Sequence, residues 1–319
     1  MGAAVNVGPH RLGVPVKRTS DGPSRADAVS RAVRAASVAR ASTTADLHQL
    51  DLAHTATRAT GAPATKKHHE NLAAIRDGRV ASVHSWELVT AVDGPGTRLT
   101  YFLSGCLLRC QYCHNPDTWK KHDGVITPIE DVLTRIRRYL GVFAATGGGL
   151  TLSGGEPLMQ PAFVARVFAE CHELGVHTTL DTSGYLGTSA SDELLDHTDL
   201  VLLDVKSGLP DTYREVTGRE LAPTIAFGDR LSARGTNVWV RFVLVPGLTD
   251  AIDNVDAVAE IVARWPNVSR VEVLPFHQMG EDKWNRLAIP YPLHGVQPPD
   301  AALQERVRGQ FRAHGLMTF

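Results

Sequence analysis

The sequence predicts an α/β protein whose residues 78–319 form an incomplete (β/α)6 TIM-like barrel. Three observations carry that expectation. Short β-rich runs alternate with amphipathic helical runs about six times, and such alternation makes a parallel sheet with right-handed crossovers. Polar residues or glycines stand just after the strand runs, at Cys106, Gly154, Asp181, Asp204, Pro246 and His277. In α/β barrels the site is built at that C-terminal end of the strands. The units number six rather than eight, so the barrel should not close.

In chain order, residues 1–77 come first and differ from the rest. They contain no Cys, Phe, Tyr or Trp and are rich in Ala, Arg, Ser, Thr and His. Such a segment buries too little apolar surface to offset its ordering entropy, so disorder is expected, with at most a weak helix over residues 24–40. It reads as a flexible tail or a start placed too far upstream. A transit peptide fits less well because Asp21 and Asp27 interrupt it.

Arg79 to Val89 reads as an edge hairpin or short strand, followed by the turn Asp93-Gly94-Pro95-Gly96. Thr97 to Ser104 is the first barrel strand and runs straight into a cysteine loop. Ile129, Val132, Leu133, Ile136 and Leu140 recur at helical spacing, so residues 128–143 should be a helix with Pro near its start. A strand at 150–152 ends in Gly154-Gly155. Phe163, Val167, Cys171 and Leu174 share one helix face, which makes Cys171 a packed core thiol. Strands are then expected at 176–180, 200–203, 238–245 and 271–274, and helices near 192–197 and over 222–234, 255–263 and 301–313.

Bulk properties exclude several classes. Hydrophobic residues make up 43 % and charged residues 21 % of the chain, as in ordinary globular proteins. A formal charge of −1 gives no general pull toward nucleic acid or anionic membranes. No apolar run approaches the ~20 residues of a membrane span. No signal peptide opens the chain, and Asn6 breaks the myristoylation pattern that Met1-Gly2 begins. A cytoplasmic protein is expected, with neither nucleic acid nor membrane as partner.

The chemistry concentrates at Cys106, Cys110 and Cys113, three of the four cysteines. Thiolates this close can converge on one soft metal centre. Structural zinc wants four ligands, and the fourth would be His114, awkwardly adjacent to Cys113, or the core Cys171. Cys110-Gln111-Tyr112-Cys113-His114 also matches the covalent haem pattern, which leaves Cys106 idle. A disulfide does not suit so cysteine-poor a chain. The remaining reading is a [4Fe-4S] cluster held by three thiolates, one iron keeping an open position where most clusters take a fourth cysteine.

The C-x3-C-x2-C spacing is that of the radical S-adenosylmethionine (SAM) superfamily. From about Gly78 to Phe319 the chain resembles its glycyl-radical activating family, specifically the pyruvate formate-lyase type. The matching stretches are Val92-Asp93-Gly94-Pro95-Gly96-Thr97-Arg98, Cys110-Gln111-Tyr112-Cys113-His114-Asn115, Asp117-Thr118-Trp119, Ser153-Gly154-Gly155-Glu156 and Leu180-Asp181-Thr182-Ser183-Gly184. Leu202-Leu203-Asp204-Val205-Lys206, Val245-Pro246-Gly247 and Leu274-Pro275-Phe276-His277 complete the set. The resemblance implies the open barrel already expected, a [4Fe-4S] cluster on Cys106, Cys110 and Cys113, and SAM on its open iron. Reductive cleavage of SAM would give a 5′-deoxyadenosyl radical, which takes hydrogen from a glycine of pyruvate formate-lyase in anaerobic glucose metabolism.

By the same resemblance Tyr112, Cys113, His114, Gly154, Gly155, Asp204, Val205, Lys206, Arg241 and His277 lie around SAM, with Glu156 adjacent. For Arg241, a structural aspartate is the other candidate partner. Asp181, Thr182, Leu202 and Asp204 would hold a monovalent cation, although isolated Asp residues after strands are usually helix caps. Asp93 and Gly94 would lie near the entering peptide, or form an ordinary turn. A flavodoxin or ferredoxin is the implied electron donor. Ser183 replaces a common Asn, and Pro157 an Ala found in some members. No cysteine lies between Cys113 and Cys171, which favours the single-cluster type. Activation of a related enzyme such as 2-ketobutyrate formate-lyase, and a non-enzymatic zinc protein, remain the other readings.

Overall fold

The computed structural model describes residues 73–90 and 93–319. The expected tail and its weak helix lie outside the described residues, apart from the last few positions of the tail. Eight strands form one sheet in the order β3-β1-β2-β4-β5-β6-β7-β8. They are β1 (Val80–Thr90), β2 (Thr97–Leu103), β3 (Val125–Pro128), β4 (Gly149–Gly154), β5 (His177–Thr182), β6 (Leu200–Asp204), β7 (Val238–Leu244) and β8 (Val268–Pro275). From β2 onward the six barrel strands β2, β4, β5, β6, β7 and β8 are parallel neighbours, as the alternation predicts. Strand β1 runs antiparallel to both β2 and β3. The sheet curls but β3 and β8 are not paired, so the barrel stays open.

Helices connect the parallel strands, and two more follow β8. They are α1 (Ile129–Thr146), α2 (Pro161–Glu173), α3 (Asp192–Asp196), α4 (Pro210–Thr217), α5 (Ala222–Arg234), α6 (Ile252–Ala263), α7 (Glu281–Arg286) and α8 (Ala301–Ala313). Helix α1 shows why such segments fold locally. Glu130 and Asp131 in its first turn oppose the positive end of the helix dipole, and Gly147 ends it in a left-handed conformation. Its apolar stripe of Ile129, Val132, Leu133, Ile136 and Phe143 is buried against the sheet. Cys171 packs in the same core at zero exposure, as its helical spacing predicts.

Arg98 closes the barrel floor at the starting ends of the strands. It is fully buried and donates to Thr151 Oγ1 (3.0 Å), Thr179 Oγ1 (2.8 Å) and the carbonyls of His177 (3.2 Å) and Leu150. These oxygens and His177 Nδ1 (3.2 Å) satisfy it, and burial lowers its pKa to about 10. Gly149 leaves the room, because a Cβ there would meet the guanidinium at 2.8 Å.

Four elements differ from expectation. The segment expected as an edge hairpin or short strand is the eleven-residue β1, and it is internal, because β3 covers its outer side. Strand β3 is four residues long with Val125 and Ile126 exposed, too short a pattern to register. Helix α4 was not anticipated because its sequence is mostly polar, yet Tyr213, Val216 and Thr217 are buried. Helix α7 likewise buries only Trp284.

Helix α8 docks on the sheet through Phe311, which stacks edge-on against Phe242 of β7 at 5.8 Å. Phe311→Ala is expected to lower stability by about 3–5 kcal/mol. Urea unfolding of the wild type and the variant measures this.

Candidate active site

A cavity of about 490 Å³ opens at the C-terminal ends of the barrel strands. The loop after β2 contributes Cys106, Cys110 and Cys113, and the end of β4 contributes Ser153, Gly154 and Gly155. Asp181, Thr182 and Ser183 come from the end of β5, Asp204 and Lys206 from β6, Arg241 from β7, and Phe276 and His277 from beyond β8.

The cysteine loop has no regular structure of its own and hangs on its surroundings. Arg109 N donates to Thr217 O (2.8 Å) and Gln111 N to Val216 O (3.0 Å), which ties the loop to α4. Cys106 N donates to Trp119 O (3.1 Å). On the other side Trp284 Nε1 of α7 donates to Cys113 O (2.8 Å), and Lys283 reaches Asn115 (2.8 Å). The two helices that sequence patterning did not show therefore hold the loop. Burial pushes all three thiols up, Cys110 to about 12 even though Lys206 opposes the shift. Thiols in such a place ionise when a cationic centre binds them.

Gly154 has φ +121°, and a Cβ there would run into the Leu103 backbone. At Gly155 a Cβ would meet the Gly105 carbonyl. The glycine pair is thus demanded by close approach of two strand ends. Glu156 is buried and accepts from Thr182 Oγ1 (2.7 Å), Ser183 N (3.0 Å), Ser183 Oγ (2.6 Å) and Leu158 N (3.1 Å). Burial pushes its pKa up while these donors resist. It clamps the end of β4 to the end of β5.

Charged groups are dense beneath the loop. Arg241 lies within ion-pair distance of Asp93 (3.2 Å), Asp181 (3.4 Å) and Glu272 (3.2 Å). The structural aspartate weighed for Arg241 is therefore present twice, as Asp93 and Asp181, with Glu272 as a third carboxylate. Asp181 also accepts from Ser153 Oγ (2.5 Å), and burial with the nearby Asp204 and Asp93 raises its pKa against the pull of Arg241. Lys206 pairs with Asp204 at 2.8 Å and lies 5.6 Å from the centre of the Tyr112 ring. Arg270 joins Glu272 at 3.4 Å, so four carboxylates face three cations. His114 and His277 stack with centroids 4.3 Å apart at the mouth, and burial lowers the His114 pKa.

Most of the site residues expected from sequence meet here. Leu202 and Val205 do not line the cavity; they are fully buried, and Val205 N donates to Arg241 O (3.0 Å). Gly94 also stands outside the cavity wall, in a positive-φ turn beside Arg98 and Thr179. Ser153, Ser183 and Trp119 were not singled out, though Ser153 and Ser183 follow strand positions that could have shown them.

Residues 100–258 match the Radical SAM superfamily. The chain is 39 % identical over 238 residues to the pyruvate formate-lyase 1-activating enzyme of Escherichia coli, covering 74 % of this chain and 97 % of the relative. It is 42 % identical over 224 residues to the pyruvate formate-lyase-activating enzyme of Listeria monocytogenes, covering 68 % and 90 %. The chain belongs to the pyruvate formate-lyase-activating family of radical SAM enzymes. Streptococcus suis SuiB bound to its precursor peptide SuiA shares the fold, with a TM-score of 0.54 at 12 % identity over 87 % of this chain and 61 % of that one.

Radical SAM enzymes carry a [4Fe-4S] cluster and SAM, and the residues present fit both. Three thiols line one cavity, and such soft donors suit an iron–sulfur cluster. The Tyr112 hydroxyl and His277 Nδ1 are buried at this cavity without hydrogen-bond partners, as expected where a polar ligand sits.

Asp117 anchors the segment after Cys113. Burial pushes its pKa up, but His84 (3.0 Å) and Lys283 (3.1 Å) more than offset this and hold it below the usual range. A depressed carboxylate stabilises above its unfolded pKa, and the contribution is lost as pH falls through the folded value. Asp117→Asn should therefore cost about 1 kcal/mol at neutral pH, with the difference shrinking below pH ~4 as the wild-type carboxyl protonates. Denaturant titrations across pH measure it.

Proposed function

We propose that this enzyme activates pyruvate formate-lyase by generating a glycyl radical on it. The observation that carries the reading is three thiols lining a barrel mouth beside orphaned polar groups, in a chain whose relatives bear that name. The bound cluster and SAM would supply a hydrogen-abstracting 5′-deoxyadenosyl radical; the chain binds, orients and excludes water.

Cys106, Cys110 and Cys113 would hold the cluster. Gly154 and Gly155 bring bare backbone close to the amino-acid end of SAM, and Glu156 keeps that backbone in place. Lys206 is set beside Asp204 to meet the carboxylate. Tyr112, His114 and His277 would flank the rest of the cofactor, where the free Tyr112 hydroxyl and His277 Nδ1 await partners. The surplus carboxylate supports a monovalent cation among Asp181, Thr182, Asp204 and the Leu202 backbone. Arg241 acts through its carboxylates and fixes Asp93 on the side proposed for the peptide. A flavodoxin or ferredoxin would supply the electron, and the reaction belongs in the cytoplasm. Among the described residues no helix is long and apolar enough to cross a membrane.

Anaerobically reconstituted protein with SAM and reductant is expected to place a glycyl radical on pyruvate formate-lyase, read by electron paramagnetic resonance. SAM cleavage with a radical on 2-ketobutyrate formate-lyase instead would reassign the partner. Cys110→Ser should lose bound iron and sulfide. Lys206→Met should retain both but weaken SAM binding about 10–100-fold in equilibrium dialysis, the range for a charged hydrogen bond.

A further inference from the structure

Trp119 lines the cavity that holds the three thiols, and the functional reading above gives it no part. Its indole N–H is directed at the Cys113 sulfur, where it opposes the burial that raises that thiol's pKa. The Asn115 backbone N–H reaches the same sulfur. The other two sulfurs take backbone donors, Leu108 N at Cys106 and its own amide at Cys110.

The indole is held in that orientation. The Arg109 guanidinium lies over one face, 4.7 Å from the ring centre. Arg109 is itself anchored on the carbonyls of Cys106 (2.8 Å) and Leu108 (2.7 Å). The Trp284 ring braces the indole edge-on at 5.1 Å. The Trp119 main chain is fixed too, since its carbonyl accepts from Cys106 N (3.1 Å) and its N–H donates to Pro116 O (3.3 Å). Trp284 serves the same cysteine differently, because its Nε1 donates to Cys113 O (2.8 Å). Two tryptophans thus meet at Cys113, one N–H on the carbonyl and the other on the sulfur. Packing alone would need only the rings.

We propose that the Trp119 indole N–H tunes the thiol-held centre, donating to the Cys113 thiolate and easing the one-electron reduction that begins the reaction. Potentials of iron–sulfur centres depend on hydrogen bonds to their sulfurs. Reduction adds one electron, supplied by the donor already named, and part of the new negative charge spreads onto the thiolates. A donor N–H favours the more negative state, so the bond tightens on reduction and the potential rises. No bond breaks and no proton moves. The proposal rests on the functional reading above and deepens it by naming a residue that sets how readily the centre is reduced.

The test is a redox titration of anaerobically reconstituted protein without SAM, followed by absorbance and electron paramagnetic resonance. Wild type, Trp119→Phe and Trp284→Phe are compared. Phenylalanine at 119 keeps an aromatic ring beside Arg109 and Trp284 and removes the donor. Trp119→Phe should bind as much iron and sulfide as the wild type and have a more negative midpoint. Poised at the wild-type midpoint, its ratio of reduced to oxidised centre should fall roughly 3- to 10-fold, the worth of one hydrogen bond. Trp284→Phe loses an N–H aimed at a carbonyl and should shift the midpoint less. In deuterated water, electron–nuclear double resonance of the reduced wild type should show an exchangeable deuteron coupled to the centre that Trp119→Phe lacks. An unchanged midpoint in Trp119→Phe, an equal shift in Trp284→Phe, loss of iron from Trp119→Phe, or the same deuteron signals in both proteins overturns the proposal. A wild type that takes up no iron–sulfur centre defeats the reading of the site itself, and the proposal with it.

Discussion

Charge must be held in a place that resists it. The barrel mouth is shielded by Phe276, Leu108 and the strand ends, so every ionised group there needs a partner at hand. That constraint explains the local order. Arg241 sits among three carboxylates, Lys206 is bound to Asp204, and Glu156 is satisfied by four donors. Among cations only the nearby Lys206 opposes burial at the three thiols, which pushes their pKa values up.

Those pairings also do architectural work. An open barrel lacks the ladder that would lock its last strand to its first, so its mouth needs other ties. Glu156 joins β4 to β5, and Arg241 joins β7 to β5, β8 and the turn before β2. At the opposite end Arg98 bridges β2, β4 and β5 through hydroxyl and carbonyl oxygens and the His177 ring nitrogen, with no carboxylate in its hydrogen-bond set. The floor is thus fastened by hydrogen bonds and the mouth by ion pairs, which leaves the mouth electrostatically poised for a cationic cofactor. The cysteine loop is held from outside by α4 and α7, so its geometry depends on polar helices that touch the core through few side chains.

Much of this was legible in the order of residues. The six parallel strands, the helices with apolar stripes and the core position of Cys171 follow from periodicity, because a buried face repeats at 3.6 residues in helices and strand runs are short and β-rich. Helices α4 and α7 were not legible, since three buried side chains in a mostly polar helix, or a single one, make no periodic signal. Strand β3 was hidden because its apolar residues face solvent and only its backbone is used. Arg241 was legible as buried and in need of an anion; which anion was not, since Asp93, Asp181 and Glu272 are far apart in the chain.

By itself the sequence determined the chemistry: three thiols at short spacing, glycines after a strand, and acids at successive strand ends, all properties of residues close together along the chain. Tertiary structure alone decided how those groups are paired and where the site meets solvent. Ion-pair partners 31 to 148 residues apart are chosen by strand register, not by local pattern. The contact of Trp119 with Trp284 at 5.1 Å exists only because the segment after the cysteine loop and α7 come together in space.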